Sequence, residues 1–287
     1  MKIENLKIPA RDGYLLSARL FVPTQPSKGF VQIHSGTGIP QKLYANFARF
    51  LAENGFTALT FDYRGIAGSA PELLEESDAK ISDWGKLDMP GVFDWVLKNF
   101  PNQKKIIAAH SMGGQMVGLM DNYKDIDQLF LIASSTGYWW DMSSPYKWLP
   151  AFFWYFFIPI HTKMFGYVNA RKVKQGENLP KGVALQWRKW CTDKNYFKSD
   201  LEGELRPVFY DKITFPIKSI QIQDDQLANK KTSNKLLKYY KNAPIEVEVI
   251  KPNDLGVDKI GHTGFFSRKF KNSLWTKIAG EMQAKLT

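Results

Sequence analysis

Apolar positions along the chain follow two different periods, and the two alternate from the N-terminus onward. Short uninterrupted apolar runs, as in residues 29–34, 56–63 and 105–110, predict buried strands. Between them, apolar residues recur every three or four positions, as in residues 42–54 and 83–100, which is the spacing of amphipathic helices. Strands that are apolar along their whole length and separated by helices indicate a mainly parallel sheet covered on both faces. The pattern therefore predicts an α/β fold.

Turn and capping residues mark where other elements begin and end. The Arg11-Asp12-Gly13 turn predicts an N-terminal hairpin, and Gly55 follows the helix over residues 42–54 where a C-terminal glycine belongs. The remaining predictions are a helix from Gly113 to about Tyr123, a strand over residues 129–135, a strand over residues 217–223, a helix from about Asn229 to Tyr240, a strand over residues 245–250 and a last helix from about Phe270 to Leu286.

The alternation stops between residues 137 and 207, a segment that is rich in aromatic residues and prolines and has no clear strand. It resumes with the strand that begins at Ile217. A chain of 287 residues suits one large domain with an insertion. We therefore predict a sheet domain over residues 1–136 and 208–287, with a helical cap inserted at residues 137–207.

Charge and cysteine usage narrow the class of protein. The chain has a formal net charge of +11, but its lysines are scattered and no nucleic-acid-binding motif accompanies them. We interpret them as a solvated basic surface and expect no nucleic-acid partner. The single cysteine, Cys191, excludes an intramolecular disulfide, and the first residues lack the pattern of a secretory signal. A cytoplasmic location is the expectation.

Ser111 lies where a buried strand turns into a helix, in the run AAHSMGG of residues 108–114. Such a turn pushes the side chain at its apex out of the sheet, and small residues two positions away give it room. The common form of this motif has glycine where this chain has Ala109, a departure that small residues tolerate. A serine here also suits a helix cap, but its setting favours a nucleophile, with the N–H of Met112 directed at a developing oxyanion.

A serine nucleophile needs a general base, and the chain has four histidines. His110 directly precedes the serine, so its side chain is expected to point away. His34 ends a neighbouring strand, and His161 belongs to the aromatic insertion, so neither is well placed. His262 lies between glycines in a predicted loop after the last strand, and it is the predicted base.

The acid that orients the base is expected after another strand and before the histidine in the chain. Asp224 and Asp225 follow the strand over residues 217–223, and only one of them can face His262. We favour Asp225, with Asp224 as the alternative and the other carboxylate as a turn or capping residue. Asp254 and Asp258 are weaker candidates because they precede the histidine too closely.

The chain order Ser111, Asp225, His262 over alternating strands and helices resembles that of the α/β-hydrolase superfamily. More narrowly, the chain resembles uncharacterised bacterial hydrolases near the serine aminopeptidase and monoglyceride-lipase branch. The segments that carry the resemblance are AHSMGGQ, HSGTGIPQKLY, FDYRGIAGS, GVALQWRKWC and IGHTGFF. The resemblance implies the α/β-hydrolase fold, a mostly parallel central sheet flanked by helices with an inserted helical cap.

The resemblance also implies a second oxyanion donor in the loop that follows His34. The N–H of Thr37 is the expected donor, with that of Gly36 as the alternative. The loop begins like a dinucleotide-binding fingerprint, but the third glycine of that fingerprint would fall at Gln41. The sequence has no metal-ligand motif and no phosphate-binding loop, so we expect no cofactor and no metal.

By the same resemblance, the inserted segment would cover the nucleophile. Trp139, Trp140, Phe153 and Trp154 are expected to line an apolar substrate pocket there, or alternatively only to pack the cap onto the core. The run from Trp148 to Ile160 is too short to cross a bilayer, so we expect no membrane span.

These residues predict a serine hydrolase that cleaves a carboxylic ester, or an amide or thioester, through an acyl-enzyme. The expected partner is a small apolar acyl substrate. Acyl transfer on the same three residues is the close alternative. A non-catalytic ligand-binding protein or a membrane-surface protein of the same fold is the alternative from a different class. The oligomeric state has no signature in the sequence.

Overall fold

The computed structural model describes residues 1–173 and 176–284. Within that part of the chain, ten strands are present: β1 Lys2–Pro9, β2 Leu15–Val22, β3 Phe30–His34, β4 Thr57–Phe61, β5 Lys105–His110, β6 Gln128–Ile132, β7 Tyr167–Val168, β8 Leu179–Pro180, β9 Ile217–Ile222 and β10 Ile245–Ile250. Eight of them form one sheet in the order β1-β2-β4-β3-β5-β6-β9-β10, and β7 and β8 form a separate antiparallel pair. The pairs β1–β2 and β2–β4 are antiparallel, and every pair from β4 to β10 is parallel. The predicted mainly parallel sheet is confirmed.

Helices connect the parallel strands and make up most of the insertion. The α-helices in the described residues are α1 Ala45–Glu53, α2 Ile81–Asp83, α3 Met89–Asn99, α4 Met112–Met116, α5 Trp148–Phe152, α6 Ile158–Phe165, α7 Lys181–Thr192, α8 Lys198–Glu202, α9 Lys230–Leu237, α10 Gly261–Gly264 and α11 Thr276–Ala284. In the same described residues, three π-helical segments extend neighbouring α-helices: Trp84–Asp88 before α3, Phe153–Phe157 between α5 and α6, and Lys271–Trp275 before α11.

The central strands are buried on both faces, as their uninterrupted apolar sequences predict. Every residue of β3, β4, β5, β6 and β9 is buried. On one face, side chains of α1 and α11 join a single apolar cluster with the strands. On the other face, α3 and α4 share a cluster with buried residues of the insertion, among them Trp154 and Trp190. The insertion therefore packs onto the sheet domain through a common core.

The elements around the nucleophile turn are shorter than the sequence predicts. The helix expected to run to Tyr123 ends as α4 at Met116 and is followed by a 3-10 turn, Val117–Leu119. A Cβ on Gly118 would lie 2.3 Å from the ring of Tyr210, so this close packing and the low helix propensity of glycine explain the early end. The insertion, expected to lack strands, contains β7 and β8, which are too short to show a periodic pattern. The predicted last helix ends at Ala284 in the described residues, and Leu286 lies outside them.

Candidate active site

Ser111 occupies the turn between β5 and α4 in a backbone conformation that residues other than glycine seldom adopt, with φ 52° and ψ −118°. Two glycines behind it allow close packing. A Cβ on Gly113 would come within 2.7 Å of the Cβ of His34, and one on Gly114 within 2.3 Å of the hydroxyl oxygen of Ser134. The strained turn and its tight support hold the serine at the C-terminal edge of the sheet.

Three side chains that are far apart in the sequence meet at this turn. Nε2 of His262 lies 2.9 Å from Oγ of Ser111, and Nδ1 of His262 lies 2.6 Å from Oδ2 of Asp225. Because an ionised carboxylate can only accept, Nδ1 keeps its proton and donates a hydrogen bond to Asp225. Nε2 is then free to accept from the serine hydroxyl. The structure thus brings the three sequence-predicted residues together in the order needed for proton transfer from Ser111.

The environment of Asp225 keeps its carboxylate ionised. The residue is 2% exposed, and its Oδ1 accepts hydrogen bonds of 2.9 Å from the N–H groups of Leu227 and Ala228. Burial raises the pKa of Asp225, but its interactions with His262 and with the two N–H groups outweigh burial and place that pKa below its ordinary value. The carboxylate therefore carries its charge at neutral pH and can stabilise a protonated imidazole.

The neighbouring carboxylate, Asp224, supports the histidine through the backbone. Its Oδ2 accepts from the N–H groups of Ile260 and Gly261, both at 3.0 Å. His262 follows directly and lies in the one-turn helix α10, where a loop was predicted. Gly261 has a φ of 66°, which glycine adopts without strain. Of the two adjacent carboxylates, Asp225 faces the imidazole and Asp224 fixes the chain that presents it.

The loop after β3 lies directly against the serine, since a Cβ on Gly36 would be 3.3 Å from the Cβ of Ser111. The N–H of Gly36 already donates to the hydroxyl of Tyr44 at 2.9 Å. In the described part of the chain, the N–H groups of Thr37 and of Met112, the first residue of α4, have no hydrogen-bond acceptor. Two unengaged donors beside a nucleophile suit the binding of an oxyanion.

Tyr44 and His110 form a contact that sequence reasoning missed. The hydroxyl of Tyr44 lies 2.8 Å from Nδ1 of His110, and Nε2 of His110 lies 3.0 Å from the backbone carbonyl oxygen of His262. Because the carbonyl can only accept, Nε2 carries the proton and Nδ1 accepts from the tyrosine. Burial lowers the pKa of His110 to about 3, which keeps the ring neutral. A line of hydrogen bonds thus connects Gly36, beside the nucleophile, to the backbone of His262.

The side chains of the other two histidines form hydrogen bonds with residues other than Ser111. His34 is buried, and its Nε2 lies 2.9 Å from the side-chain amide of Gln32. The ring of His161 lies against that of Phe157, tilted by 32° with ring centres 3.8 Å apart, and its Nδ1 donates to the carbonyl of the same residue at 2.9 Å. Neither forms a hydrogen bond with Ser111 in the described residues.

The insertion contacts the site from two sides. The N–H of Ser143 donates at 3.3 Å to a backbone carbonyl of the loop that carries Asp225. The N–H of Glu177 donates at 2.8 Å to the carbonyl of Gly38, in the loop after β3. Burial and the charge of Asp225 together raise the pKa of the Tyr146 phenol, a residue that sequence reasoning did not single out. The insertion therefore contacts both the loop that carries Asp225 and the loop after β3, beside Ser111.

The four aromatic residues expected to line a pocket have different surroundings. Trp154 is 3% exposed, and its ring centre lies 4.6 Å from that of Trp187. Phe153 and Trp139 are half-buried, whereas Trp140 is 50% exposed and packs edge-on against Trp139. Packing within the insertion accounts for the burial of Trp154. That these rings line a substrate pocket stays a prediction.

Similar solved structures define the class of fold. A thermostable carboxyl esterase from Bacillus coagulans, in complex with glycerol, is 13% identical, with a TM-score of 0.63 and 100% of both chains covered. A Pyrococcus furiosus esterase is 15% identical, with a TM-score of 0.62, covering 100% of this chain and 92% of that one. A Paleococcus ferrophilus monoacylglycerol lipase is 14% identical, with a TM-score of 0.58, covering 94% of this chain and 99% of that one. The predicted α/β-hydrolase fold is confirmed.

The sequence profile of one family within this fold, described as serine aminopeptidase, S33, matches residues 25–174. Those residues are just over half of the chain, which therefore belongs to the serine aminopeptidase S33 family of hydrolases. The predicted enzyme class, a serine hydrolase, is confirmed. No curated protein matches the sequence.

Proposed function

We propose that this protein hydrolyses a carboxylic ester, with Ser111 as nucleophile, His262 as general base and Asp225 as the residue that orients the base. The observation that supports this assignment is the continuous line of hydrogen bonds between the three side chains, 2.6 Å from Asp225 to His262 and 2.9 Å from His262 to Ser111. A serine hydroxyl is a weak nucleophile by itself, and this line supplies the base that activates it.

In the first half of the reaction, Oγ of Ser111 attacks the ester carbonyl carbon while Nε2 of His262 takes its proton. The negative charge on the carbonyl oxygen is bound by the N–H groups of Met112 and Thr37. His262 then gives the proton to the alcohol oxygen as the bond between that oxygen and the carbonyl carbon breaks. The alcohol leaves, and the acyl group remains bonded to Ser111.

In the second half, water replaces the alcohol. His262 removes a proton from the water as its oxygen attacks the acyl carbon, and the same two N–H groups bind the second oxyanion. The bond to Ser111 breaks, and His262 returns the proton to Oγ. Asp225 stays ionised throughout and stabilises the positive imidazole in both halves.

The substrate class rests on the cap and on the comparisons. The similar structures are named esterases and a monoacylglycerol lipase, which supports an ester as the substrate. The inserted cap, residues 137–207, contacts the loops on both sides of Ser111. We infer that Trp139, Trp140 and Phe153 contribute to an apolar acyl pocket beneath it, whereas Trp154 packs the cap onto the core.

A fluorophosphonate probe tests the nucleophile, because it reacts covalently with an activated serine. We expect one adduct, localised to Ser111 by mass spectrometry, and no labelling of Ser111→Ala. Ser135→Ala is a matched control, since Ser135 is buried just after the neighbouring strand β6, bonds within the described residues only to the carbonyl of Thr136, and should leave labelling intact. An adduct on any other serine would refute the assignment.

A further inference from the structure

One continuous helix of the insertion exposes a row of large apolar side chains. α5, the π-helical segment Phe153–Phe157 and α6 follow one another without a break, and we call this element, residues 148–165, the insertion helix. Five of its side chains at four-residue spacing are 51 to 68% exposed: Trp148, Phe152, Phe156, Ile160 and Met164. Residues four apart are neighbours on a helix surface, and the wider turns of the π-helical segment reduce the rotation from one to the next, so these five, called here the exposed row, form a strip about 24 Å long.

The opposite face holds the helix in place. Trp154, Ile158 and Thr162, also at four-residue spacing, are 3%, 0% and 5% exposed. The exposed row is therefore not needed to attach the helix to the core. Exposed Leu149 and Tyr155 widen it further. Soluble monomers seldom expose contiguous apolar patches of this extent, and such patches mark interaction surfaces.

Positive charge beside the exposed row indicates which kind of partner this surface binds. Residues 142–176 include five lysines and arginines and no aspartate or glutamate. Nζ of Lys147 lies 5.7 Å from the ring centre of Trp148, and the guanidinium of Arg188 lies 6.0 Å from that of Tyr155. The cations therefore stand directly against the aromatic residues of the patch. At the C-terminal end Glu75 lies beside Gly166, so the positive charge is greatest toward Lys147.

We propose that the insertion helix docks the protein onto an anionic lipid surface. The helix lies in the plane of the interface, with the exposed row at the acyl-chain boundary and Lys147 and Lys163 at the lipid phosphates. Tryptophan and tyrosine side chains, here Trp148 and Tyr155, favour this boundary because each is an apolar ring with one polar group. Among the helices of the described residues, none is long and apolar enough to cross a bilayer. A second copy of the chain is a poorer occupant, since it would bring like charges together.

Vesicle sedimentation tests the proposal with the intact protein. We expect binding to phosphatidylglycerol vesicles and weaker binding to phosphatidylcholine vesicles, by about fivefold for each cation that reaches the surface. Phe152→Ser combined with Phe156→Ser should weaken binding to phosphatidylglycerol at least about tenfold. Leu15→Ser combined with Val247→Ser removes side chains that are 57% and 47% exposed on the sheet, and should leave binding unchanged.

The remaining outcomes are equally decisive. Lys147→Glu combined with Lys163→Glu should also weaken binding to phosphatidylglycerol, and this serves as the test if the phenylalanine variant fails to fold. Failure of the wild type to bind phosphatidylglycerol vesicles, or undiminished binding by the row variants, would overturn the proposal. A dimer in sedimentation velocity that the row variant dissociates would assign the surface to a second copy instead. Ser111→Ala should bind vesicles normally, so docking and ester hydrolysis can fail independently.

Discussion

His110 donates from Nε2 to the backbone carbonyl of His262 at 3.0 Å. The residue before Ser111 in the chain therefore fixes the backbone of the histidine that contacts Ser111. The other ring nitrogen accepts from Tyr44, whose hydroxyl oxygen also accepts from the N–H of Gly36. The position of the loop beside Ser111 is thereby linked to the position of the imidazole. Because the ring of His110 stays neutral, this link does not change with charge near neutral pH.

Replacing Tyr44 by phenylalanine should test this link. The change removes only the hydroxyl, which leaves Nδ1 of His110 and the N–H of Gly36 unpaired in a buried place. Misplacement of reacting groups lowers turnover more than binding, so we expect kcat to fall about tenfold to a hundredfold with little change in KM. Steady-state kinetics on a soluble ester measures both.

Tyr14→Phe is the control for that experiment. It also removes a hydrogen-bonded hydroxyl, one that donates to the backbone carbonyl of Ser69. We expect it to lower the melting temperature without changing kcat. If the two variants lose activity only in proportion to stability, the positioning role of Tyr44 is wrong.

Replacing Asp225 by asparagine should lower turnover far more than replacing the adjacent Asp224. In Asp225→Asn the side chain can no longer fix the tautomer of His262, and turnover should fall about 10⁴-fold. Asp224→Asn keeps one oxygen to accept from the backbone of Ile260 and Gly261, so a loss of no more than about tenfold is expected. Rate measurements at saturating substrate compare them. Equal losses, or a larger loss for Asp224→Asn, would reverse the assignment.

His34 should make stability depend on pH. Burial lowers the pKa of His34 to about 3, whereas an unfolded histidine has a pKa of about 6.5. As pH falls below about 6.5, the unfolded state takes up a proton that the folded state does not, so the contribution of this residue to stability is lost progressively. As pH falls from about 6 to about 4, the free energy of unfolding of His34→Gln should increase relative to that of the wild type, by about 1.4 kcal/mol for each pH unit.

Urea denaturation at several pH values measures this difference directly. Comparing variant with wild type cancels the titration of all other groups, provided that the dependence on urea concentration is unchanged. A difference that stays constant with pH would show that His34 has the same pKa in the folded and the unfolded protein.

The meeting of Ser111, Asp225 and His262 could be predicted because each follows a parallel strand. The C-terminal ends of such strands lie at one edge of the sheet, and the motif around Ser111 identifies which edge matters. The contact between Tyr44 and His110 could not be predicted in this way. The two residues are 66 positions apart, and their contact depends on how side chains pack beneath the loop.

The insertion shows a second limit of sequence reasoning. Residues 148–165 are apolar on nearly every face, so the helical period does not reveal which side is buried. The structure buries Trp154 and Ile158 and exposes Phe152 and Phe156 because only one face meets the sheet domain. Aromatic content alone was compatible with a pocket and with packing of the cap onto the core, because the burial of each ring depends on tertiary contacts.

Trp154 should contribute strongly to stability. It is nearly fully buried and packs edge-on against Trp187. Trp154→Ala should therefore lower the free energy of unfolding by about 3–5 kcal/mol, because it leaves a cavity in the shared core. Thermal denaturation measures the loss, and Trp140→Ala, at a half-exposed position, is the matched control with a much smaller expected effect. Similar losses in both variants would contradict the burial pattern.

Phe153 should show whether the rings also bind substrate. If it lines an acyl pocket, each methylene added to the acyl chain contributes up to about 0.8 kcal/mol, which raises kcat/KM nearly fourfold until the pocket is full. Efficiency measured for acetate, butyrate, octanoate and dodecanoate esters should therefore climb and then level off. Phe153→Ala should flatten that climb while leaving the acetate ester nearly unaffected, since a short acyl group does not reach the ring. A flat profile in the wild type, together with destabilised Phe153→Ala, would mean that the rings only pack the cap onto the core.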